Sequence, residues 1–432
     1  MREMKDSGVE WIGAMPRAWK MNTIAQIFLQ VKCKNTGLQE KNLLSLSYGK
    51  VKRKSIDTVE GLLPESFDGY NIIEKDDIVL RLTDLQNDHT SLRVGLAEER
   101  GIITSAYLTI RNRSNFCPKY LYYYLHSFDI AKGFYGMGAG VRQGLNWDGV
   151  KWLKILAPSV PEQERIAAFL DAECAEIDAV LEKTRASIEE YKKLKQAVIT
   201  QAVTKGIRGD RPMKDSGIEW IGDIPAEWDV VRQKYFWNTV ESGVSVNAAD
   251  KPVDNSEQYG VLKTSAVSKF VFIPTEHKQV NLEEYGRVSC PVRADSIIAS
   301  RMNTPELVGA CGYVQNNYPN LFLPDRLWQI TFKDGLSPKY AWYYLSGIRV
   351  RQYISSLSTG TSSSMQNISQ SQYGNIFITI PSIGEQSEIT KYLDEKCRSV
   401  DALVTKKQQY LTEIENYKKS LIYEYVTGKK EA

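Results

Sequence analysis

Residues 4–20 read MKDSGVEWIGAMPRAWK, and residues 213–229 repeat them as MKDSGIEWIGDIPAEWD, with eleven of the seventeen positions identical. A second pair of related stretches follows much later in the chain, PEQERIAAFLDAECAEIDAV from Pro161 and GEQSEITKYLDEKCRSVDAL from Gly384. A duplication of this size predicts two equal modules fused in tandem, which behave like a covalent dimer with approximate two-fold symmetry.

Each copy ends in a long helical pattern. Ser159 and Ser382 both begin S-x-x-E sequences, which predict capping boxes in which the Glu side chain reaches back to the Ser N–H. Gly206 and Gly428 are suitable C-terminal caps. Between them runs a heptad seam with a polar residue at two positions in each copy, formed by Ile177, Leu181, Thr184, Ile188, Tyr191, Lys195, Val198 and Ala202 and by Val400, Val404, Lys407, Leu411, Ile414, Lys418, Leu421 and Tyr425.

A helix over residues 162–205 would be roughly 65 Å long, since each residue adds about 1.5 Å. A helix of that length must bury its apolar stripe. We expect its partner to be its own repeat, and two-fold symmetry then requires the two helices to run antiparallel. The alternative is that each helix packs separately on its own globular domain.

The globular segments are predicted to be α+β. Short β-rich runs at residues 77–82, 106–111, 326–332 and 375–380 are separated by Gly, Asn, Asp and Ser. One aromatic helix recurs, as CPKYLYYYLHSF from Cys117 and SPKYAWYYLSGI from Ser337. Its rings could stack on bases, but at helical spacing they more often belong to the core.

The predicted domain order follows from the repeats. It comprises repeated segments at 1–19 and 207–229 (the latter with a linker), globular domains at 20–158 and 230–381, and long helices at 159–206 and 382–432. Outside the landmarks the two globular domains diverge strongly. Basic residues exceed acidic ones by five in 20–158 and by three in 230–381. This mild excess is compatible with a surface that faces DNA.

Composition excludes several other classes of protein. The chain has 432 residues, 42% hydrophobic and 25% charged, with a net charge of +3. We find no secretory leader and no apolar run long enough to span a membrane, and we therefore expect a cytoplasmic protein. The six cysteines form no C-x-x-C pair and the three histidines lack metal-ligand spacing, so no metal site is predicted. There is no P-loop, nuclease or amino-methylation motif, and we predict no catalytic residues.

A glycine-rich stretch at residues 133–144 corresponds to a Ser- and Asn-rich stretch at residues 358–367. Both precede the last predicted strand of their module. A flexible polar loop at this place can follow a phosphate backbone and reach base edges. A solvated connection between elements is an equally good interpretation.

These motifs, in this order and twice, make the chain similar to the DNA-specificity subunit of type I restriction-modification systems. The motifs are MKDSG-[VI]-EWIG, the polar loop before a final strand, P-S-x-x-EQ…I…LD, and T-K-G or T-G-K after the long helix. The resemblance implies two target-recognition domains separated by an antiparallel pair of helices. It also implies a bipartite, asymmetric site on double-stranded DNA, with one half-site for each domain and a spacer set by the helices.

The resemblance further implies partners. The helices would dock two methyltransferase subunits, and restriction/translocase subunits would join them. S-adenosylmethionine, ATP and Mg would belong to these partners, and this chain would hold no cofactor.

Residues that contact DNA can be predicted only from their position and chemistry. Arg and Lys mostly hold phosphate or read guanine, whereas Gln and Asn suit adenine edges. In the first module we select Lys50, Lys52, Arg53, Lys54, Arg81, Thr83, Gln86, Asn87, Arg142 and Gln143. In the second we select Lys263, Thr264, Ser265, Lys269, Arg301, Asn303, Ser363, Gln366 and Asn367.

Two other hypotheses remain open from the sequence. An autonomous DNA-modifying enzyme would need a catalytic motif that we do not find. A coiled-coil scaffold without nucleic acid would leave the two divergent, basic, equal-sized modules unexplained.

Overall fold

A computed structural model describes residues 2–55, 66–88, 90–137, 144–362 and 365–432. The chain forms two compact units, Met1–Arg185 with Gln408–Ala432 (unit 1) and Ala186–Lys407 (unit 2). The boundary falls within both long helices, so each unit contains a part of each of them.

Unit 1 is built mainly from short strands. Its strands are β1 Met4–Asp6, β2 Ala14–Pro16, β3 Lys20–Thr23, β4 Phe28–Gln30, β5 Leu44–Ser47, β6 Lys50–Arg53, β7 Asn71–Ile73, β8 Ile78–Leu80, β9 Val94–Leu96, β10 Gly101–Ile103, β11 Leu108–Asn112 and β12 Lys154–Ala157. Its helices are α1 Ile24–Ile27, α2 Pro118–Ile130, α3 Trp147–Val150 and the first part of α4 Val160–Lys205.

Unit 2 follows the same plan with more strands. These are β13 Met213–Asp215, β14 Asp223–Pro225, β15 Asp229–Arg232, β16 Trp237–Ser242, β17 Ala248–Ala249, β18 Gly260–Leu262, β19 His277–Val280, β20 Pro291–Val292, β21 Ser296–Ser300, β22 Met302–Asn303, β23 Cys311–Val314, β24 Tyr318–Phe322, β25 Leu327–Phe332, β26 Thr359–Ser362, β27 Met365–Asn367 and β28 Phe377–Ile380. The α-helices are α5 Pro338–Leu345, α6 Ile348–Leu357, α7 Gln370–Gly374 and α8 Ile383–Val426, with 3₁₀ turns at Gln233–Phe236, Thr264–Ala266 and Leu282–Glu284.

The central sheets of the two units have the same strand order. In unit 1 the order is β4-β11-β8-β9, and in unit 2 it is β16-β25-β21-β23, with antiparallel pairing throughout. Outside this sheet the units differ. Unit 2 has a mixed five-stranded sheet, β17-β19-β18-β24-β20, where unit 1 has the two-stranded pairs β5-β6 and β7-β10.

The two long helices, of 46 and 44 residues, run antiparallel where they meet in each unit. In unit 1 Lys418 donates to Asp178 at 2.6 Å and Arg185 to Glu415 at 2.6 Å. In unit 2 Lys195 donates to Asp401 at 2.7 Å and Arg208 to Glu388 at 2.7 Å. All predicted seam positions are buried or half-buried. The predicted α+β fold with an antiparallel helix pair is confirmed.

Both helices end as expected, because Gly206 and Gly428 adopt φ of 77° and 73°, the left-handed conformation of a C-terminal cap. The predicted capping boxes are wrong in one respect. Glu162 and Glu385 do not reach back to their serines. They accept hydrogen bonds from the indole N–H groups of Trp19 and Trp228, at 3.1 and 2.9 Å.

This carboxylate–indole pair explains why the repeated segment contains its last Trp. In both units an arginine, Arg2 or Arg211, lies over the indole and forms an ion pair with the same carboxylate. The interaction fixes each repeated segment against the first turn of a long helix.

The tyrosines of the recurring aromatic helix belong to the core. Tyr120, Tyr124, Tyr340 and Tyr344 are fully buried. Tyr120 also donates to the carbonyl of Val426 at 3.3 Å, and the end of α8 completes the core of unit 1 through Leu421, Ile422 and Val426. The end of α4 completes the core of unit 2 in the same way, through Ile199, Ala202 and Val203.

Candidate nucleic-acid interface

Two loops of unlike sequence leave corresponding strands of the two equivalent sheets. Loop A, residues 81–93, joins β8 to β9 in unit 1, and loop B, residues 301–310, joins β21 to β23 in unit 2. His89 of loop A lies outside the described residues. Because these strands pair in the same order in both sheets, loops A and B occupy equivalent places.

Loop A carries four of the predicted DNA-binding residues, Arg81, Thr83, Gln86 and Asn87. The last three are exposed, and Arg81 is half-buried with its guanidinium 3.5 Å from Asp88. Hydrogen bonds from Ser91 lower the pKa of the Asp88 carboxyl, so it stays charged at neutral pH. The Leu145 N–H donates to the carbonyl of Leu82 at 2.8 Å, which places the end of the glycine-rich loop beside loop A.

Two further predicted residues, Arg142 and Gln143, lie outside the described residues, as does Ser363 of the second module.

The remaining predicted residues of unit 1, Lys50, Lys52, Arg53 and Lys54, lie on or just after β6. Strands β5 and β6 form a hairpin whose turn, Tyr48 and Gly49, has φ of 48° and 75°. Lys50 and Lys52 line a recess that also includes Asp171 and Asp178 of α4. Both lysines are exposed. They lie on the β5–β6 hairpin, which lines this recess together with α4 and is a separate element from loop A.

Arg53 has a partner. Its guanidinium donates to Glu99 at 2.6 Å, and this bond lowers the pKa of the Glu99 carboxyl and raises that of Arg53. Arg53 must therefore exchange one anion for another in order to bind a phosphate.

In unit 2 the structure brings four predicted residues together, Arg301, Asn303, Gln366 and Asn367. Strands β22, β27 and β26 form a small sheet, which we call the polar ribbon. In it Asn303 lies directly opposite Gln366, and Met302 lies opposite Asn367. The Ile368 N–H donates to the carbonyl of Arg301 at 3.0 Å. The major groove admits a pair of strands such as β22 and β27, and there Asn and Gln amides can read adenine.

The other predicted residues of unit 2, Lys263, Thr264, Ser265 and Lys269, lie at and after the 3₁₀ turn Thr264–Ala266. Ser265 donates to Glu276 at 2.6 Å, and the Lys263 ammonium is 3.5 Å from Asp250. Lys269 is exposed and lines a recess beside Lys192 and Lys195 of α4. These four residues therefore lie in a different element from the polar ribbon.

The sequence analysis missed the contacts that fix each recognition region to the long helices. Asp171 of α4 accepts hydrogen bonds from Lys119 and from Tyr123, the latter at 2.9 Å. Asp394 of α8 accepts them in the same way from Lys339 and from Tyr343, at 2.8 Å. A signal was present, since all three residue types recur in both copies. From the sequence alone, the recurring aromatic helix is interpreted only as part of the core.

A buried amide adds a second attachment. The Gln163 side chain accepts the Cys117 N–H at 2.9 Å, and that of Gln386 accepts the Ser337 N–H at 2.8 Å. Both glutamines are fully buried, and each caps the start of an aromatic helix. The helix that supports the recognition region is therefore held rigidly to the long helices.

The sequence analysis also missed two buried arginines. Arg93 at the end of loop A is fully buried, and Arg351 of α6 is 7% exposed. Both donate to main-chain carbonyls of the neighbouring loop. In the first case a signal existed, because Arg93 stands within the apolar run Leu92-Arg93-Val94.

Known proteins share these features. The family model of the type I restriction modification DNA specificity domain matches residues 225–415. A Methanocaldococcus jannaschii protein, provisionally named the type I restriction enzyme MjaX specificity subunit, is 23% identical over 97% of this chain and 95% of its own length. The MjaVIII specificity subunit of the same organism is 26% identical over 64% of this chain and 62% of its own.

Solved structures share the fold. One chain, from work on complex assembly and conformational transition of the type I R-M system, matches with a TM-score of 0.68 at 17% identity, over 95% of this chain and 98% of its own. The HsdS subunit from Thermoanaerobacter tengcongensis matches with a TM-score of 0.50 at 15% identity, over 98% and 100% of the two chains.

Residues 225–415 match the DNA specificity domain of type I restriction-modification systems, and the chain is similar to a specificity subunit of these systems over nearly all of its length. It acts as a DNA specificity subunit and is not itself an enzyme. In the described parts of the chain, no helix is both long and apolar enough to cross a bilayer. The same parts contain no group of three or more His, Cys, Asp or Glu side chains arranged to hold a metal ion.

Proposed function

We propose that this chain recognises a bipartite, asymmetric site on double-stranded DNA. Residues 20–158 and 230–381 are the two target-recognition domains, and each reads one half-site. The long helices determine the length of the unread spacer. Within the domains, loop A and the polar ribbon with loop B carry the residues that read bases.

The observation that carries this proposal is the contrast at one equivalent place. The two central sheets have the same order, yet loop A presents Thr83, Gln86 and Asn87 whereas the ribbon presents Asn303 opposite Gln366. Different donors and acceptors on the same support select different bases. Because loop A and the polar ribbon carry different side chains on the same central sheet, the two domains should recognise different half-sites.

The basic residues have a separate role in this proposal. Lys50, Lys52, Arg53 and Lys54, together with Lys263 and Lys269, hold phosphates and thereby orient the duplex. Contacts to phosphate contribute affinity and carry no sequence information directly. Arg81 and Arg301, at the first position of each loop, combine this role with access to a guanine edge.

The helices support the proposal that two methyltransferase subunits bind. In unit 1 Val180, Tyr410 and Tyr417 are exposed, and in unit 2 Leu194 and Leu403 are exposed. Exposed apolar residues at heptad spacing on a paired helix are typical of a surface that takes a further helix. Because the repeat supplies this surface twice, it suits two copies of one partner.

In the assembly proposed here, S-adenosylmethionine, ATP and Mg are held by methyltransferase and restriction/translocase subunits, and the complex acts in the cytoplasm. The similarity to a chain from a type I assembly supports these partners.

The experiment is to combine the full chain with its methyltransferase partner and S-adenosylmethionine, and to map methylation on a library of random duplexes. We expect one interrupted motif with two different halves and a constant spacer. A continuous or palindromic motif would contradict the proposal. Methylation by the chain without its partner would show an autonomous enzyme, and a complex that binds no DNA would show a scaffold.

A further inference from the structure

Loop A has its main chain fixed by one buried side chain. The Arg93 Nη1 atom donates to the carbonyls of Arg81 at 3.0 Å and Thr83 at 2.8 Å. Its Nη2 atom donates to the carbonyls of Asp84, at 3.3 Å, and Asp88. One guanidinium therefore holds both ends of the segment that presents Thr83, Gln86 and Asn87.

Tyr135 completes this arrangement. The Arg93 Nε atom donates to the phenol oxygen at 3.1 Å, and the guanidinium carbon is 4.9 Å from the ring centroid. The phenol in turn donates to the carbonyl of Asp88 at 3.1 Å. Because every donor of a planar guanidinium has a fixed direction, this set of bonds allows one conformation of the loop.

Loop B is fixed in the same way by a residue from elsewhere in the sequence. Arg351 on α6 donates through Nη2 to the carbonyls of Glu306 at 3.1 Å and Val308 at 2.6 Å. Its guanidinium lies 5.0 Å from the ring centroid of Phe270. One turn further along α6, Ser355 donates to the carbonyl of Pro305 at 2.9 Å. Loop B leads directly from Asn303 of the polar ribbon, so these bonds fix one edge of the ribbon.

These two arginines are not related by the internal repeat. Arg93 precedes a strand, whereas Arg351 lies on α6, for which the described residues of unit 1 contain no separate helix. Burying a guanidinium among neutral carbonyls is costly unless its donors are satisfied. All three nitrogens of the Arg93 guanidinium are bonded, whereas Arg351 bonds through Nη2 and leaves Nε and Nη1 without a hydrogen-bond partner among the described residues. A buried arginine nevertheless lies at the equivalent loop of each domain, which points to a common task.

We propose that Arg93 and Arg351 are positioning residues for sequence recognition, each setting the conformation of one reading loop and hence the selectivity for one half-site. This inference rests on the proposed function, in which loops A and B read bases. Neither arginine touches DNA. Each acts through the loop whose carbonyls it holds.

The experiment uses the full chain in complex with its methyltransferase partner, and the methylated motif is mapped on a random duplex library. We expect Arg93→Met to lower base discrimination in one half-site by about 5- to 150-fold, the range that a well-placed base contact supplies, and to leave the other half-site unchanged. Arg351→Met should do the reverse. Each variant is thus the control for the other.

If Arg93 and Arg351 only stabilise the fold, the mapped methylation motif changes in a different way. Loss of selectivity in both half-sites to the same extent, or lower methylation with an unchanged motif, would overturn the inference. Arg93→Lys keeps the positive charge but loses the planar set of guanidinium N–H donors, so it should retain more base discrimination than Arg93→Met and less than the parent chain. If Arg93→Met prevents assembly, Tyr135→Phe removes the bond accepted from Arg93 and the bond donated to Asp88, and it should relax the same half-site by a smaller factor. An unchanged half-site in that variant would equally refute the role.

A further variant separates this inference from the proposal on which it rests. Thr83→Ala, Gln86→Ala and Asn87→Ala together remove the side chains that loop A presents. If this triple variant leaves the motif unchanged, loop A does not read bases and the proposed site is wrong. If it relaxes one half-site while Arg93→Met does not, the reading site stands and only the positioning role fails.

Discussion

The two halves of this protein are alike where the recognition regions meet the long helices and unlike where they present residues to solvent. Glu162 with Trp19 and Glu385 with Trp228 form the same bond in both units. Loop A and loop B, in contrast, share a place in the sheet but not a sequence. Buried pairs tolerate little change because their partners must fit, whereas an exposed loop tolerates many sequences once its main chain is supported.

The strongest test of this likeness is to remove the buried indole from each unit. Trp228→Ala should lower the stability of unit 2 by about 3 to 5 kcal/mol, because it leaves a cavity and removes the indole hydrogen bond to the buried Glu385. Trp19→Ala should cost unit 1 a similar amount. Amide hydrogen exchange, followed separately in each unit, measures both. Trp152, which is 67% exposed, is the matched control, and Trp152→Ala should change stability by no more than about 0.5 kcal/mol.

A clear difference between the stability losses caused by Trp19→Ala and by Trp228→Ala would contradict the likeness of the two units. It would show that the repeated sequence is held by different surroundings in the two units.

His126 distinguishes the units by pH. Burial, with a smaller contribution from Lys418, lowers its pKa to about 4, and the corresponding residue of unit 2 is Ser346. Folded unit 1 keeps His126 neutral, so the stability it contributes is present above pH 6.5 and is lost as pH falls towards 4. The loss is on the order of 3 kcal/mol.

His126→Gln should therefore gain stability relative to the parent chain over this pH range, measured by amide exchange in unit 1. Asp129 has the opposite effect on the pH dependence of stability, because burial raises its pKa to about 6. Since Asp129 is present in both the parent chain and the His126→Gln variant, its contribution cancels when the two are compared. Ser346→Ala is the control in unit 2 and should show no pH-dependent difference. A pH-independent effect of His126→Gln would mean that the imidazole is not held neutral.

The two carboxylates that hold the aromatic helices sharpen the comparison further. Asp394→Asn weakens the bonds from Lys339 and Tyr343, and Asp171→Asn weakens those from Lys119 and Tyr123. Since both carboxylates and both lysines are partly exposed, each change should cost only about 1 kcal/mol. The measurement is again amide exchange, here at the first turns of α2 and α5. A change in the methylation motif from either variant would be unexpected, because neither carboxylate touches loop A or loop B.

The smallest effect concerns the lysines of the β5–β6 hairpin. If Lys52 holds a phosphate, Lys52→Ala should weaken binding to all sequences equally and reduce the slope of log K against log salt by about one. Lys269→Ala is the equivalent change in unit 2. The measurement is a salt titration of DNA binding by the assembled complex. An altered motif would instead show that the hairpin reads bases.

Much of the fold could be predicted from the sequence because its signals are local and repeated. The heptad seam, the glycine caps and the strands at residues 77–82 and 326–332 depend on neighbouring residues in the chain. The predicted runs appear as β8 at Ile78–Leu80 and β25 at Leu327–Phe332. The burial of the aromatic helix was also predicted correctly from its spacing.

The candidate site was less accessible. Asn303 and Gln366 were both selected, but nothing in the sequence shows that they are cross-strand neighbours, because 62 residues separate them. The lysines at positions 50 and 52 were placed in the same group as Gln86, although the hairpin and loop A are separate elements. Charge marks a residue as available to a phosphate but does not indicate which face it occupies.

The sequence by itself determined the duplication, the antiparallel helices and the class of protein, since all three follow from the heptad periodicity and the repeated motifs. Only the tertiary structure decided how loops A and B are held. Arg93 and Arg351 stand at unrelated positions in the chain, and each does its work through carbonyl groups that every residue possesses. A hydrogen bond to the main chain leaves no mark on the identity of its acceptor. The sequence could therefore mark Arg93 as a buried residue, but it could not show which carbonyl groups Arg93 and Arg351 hold.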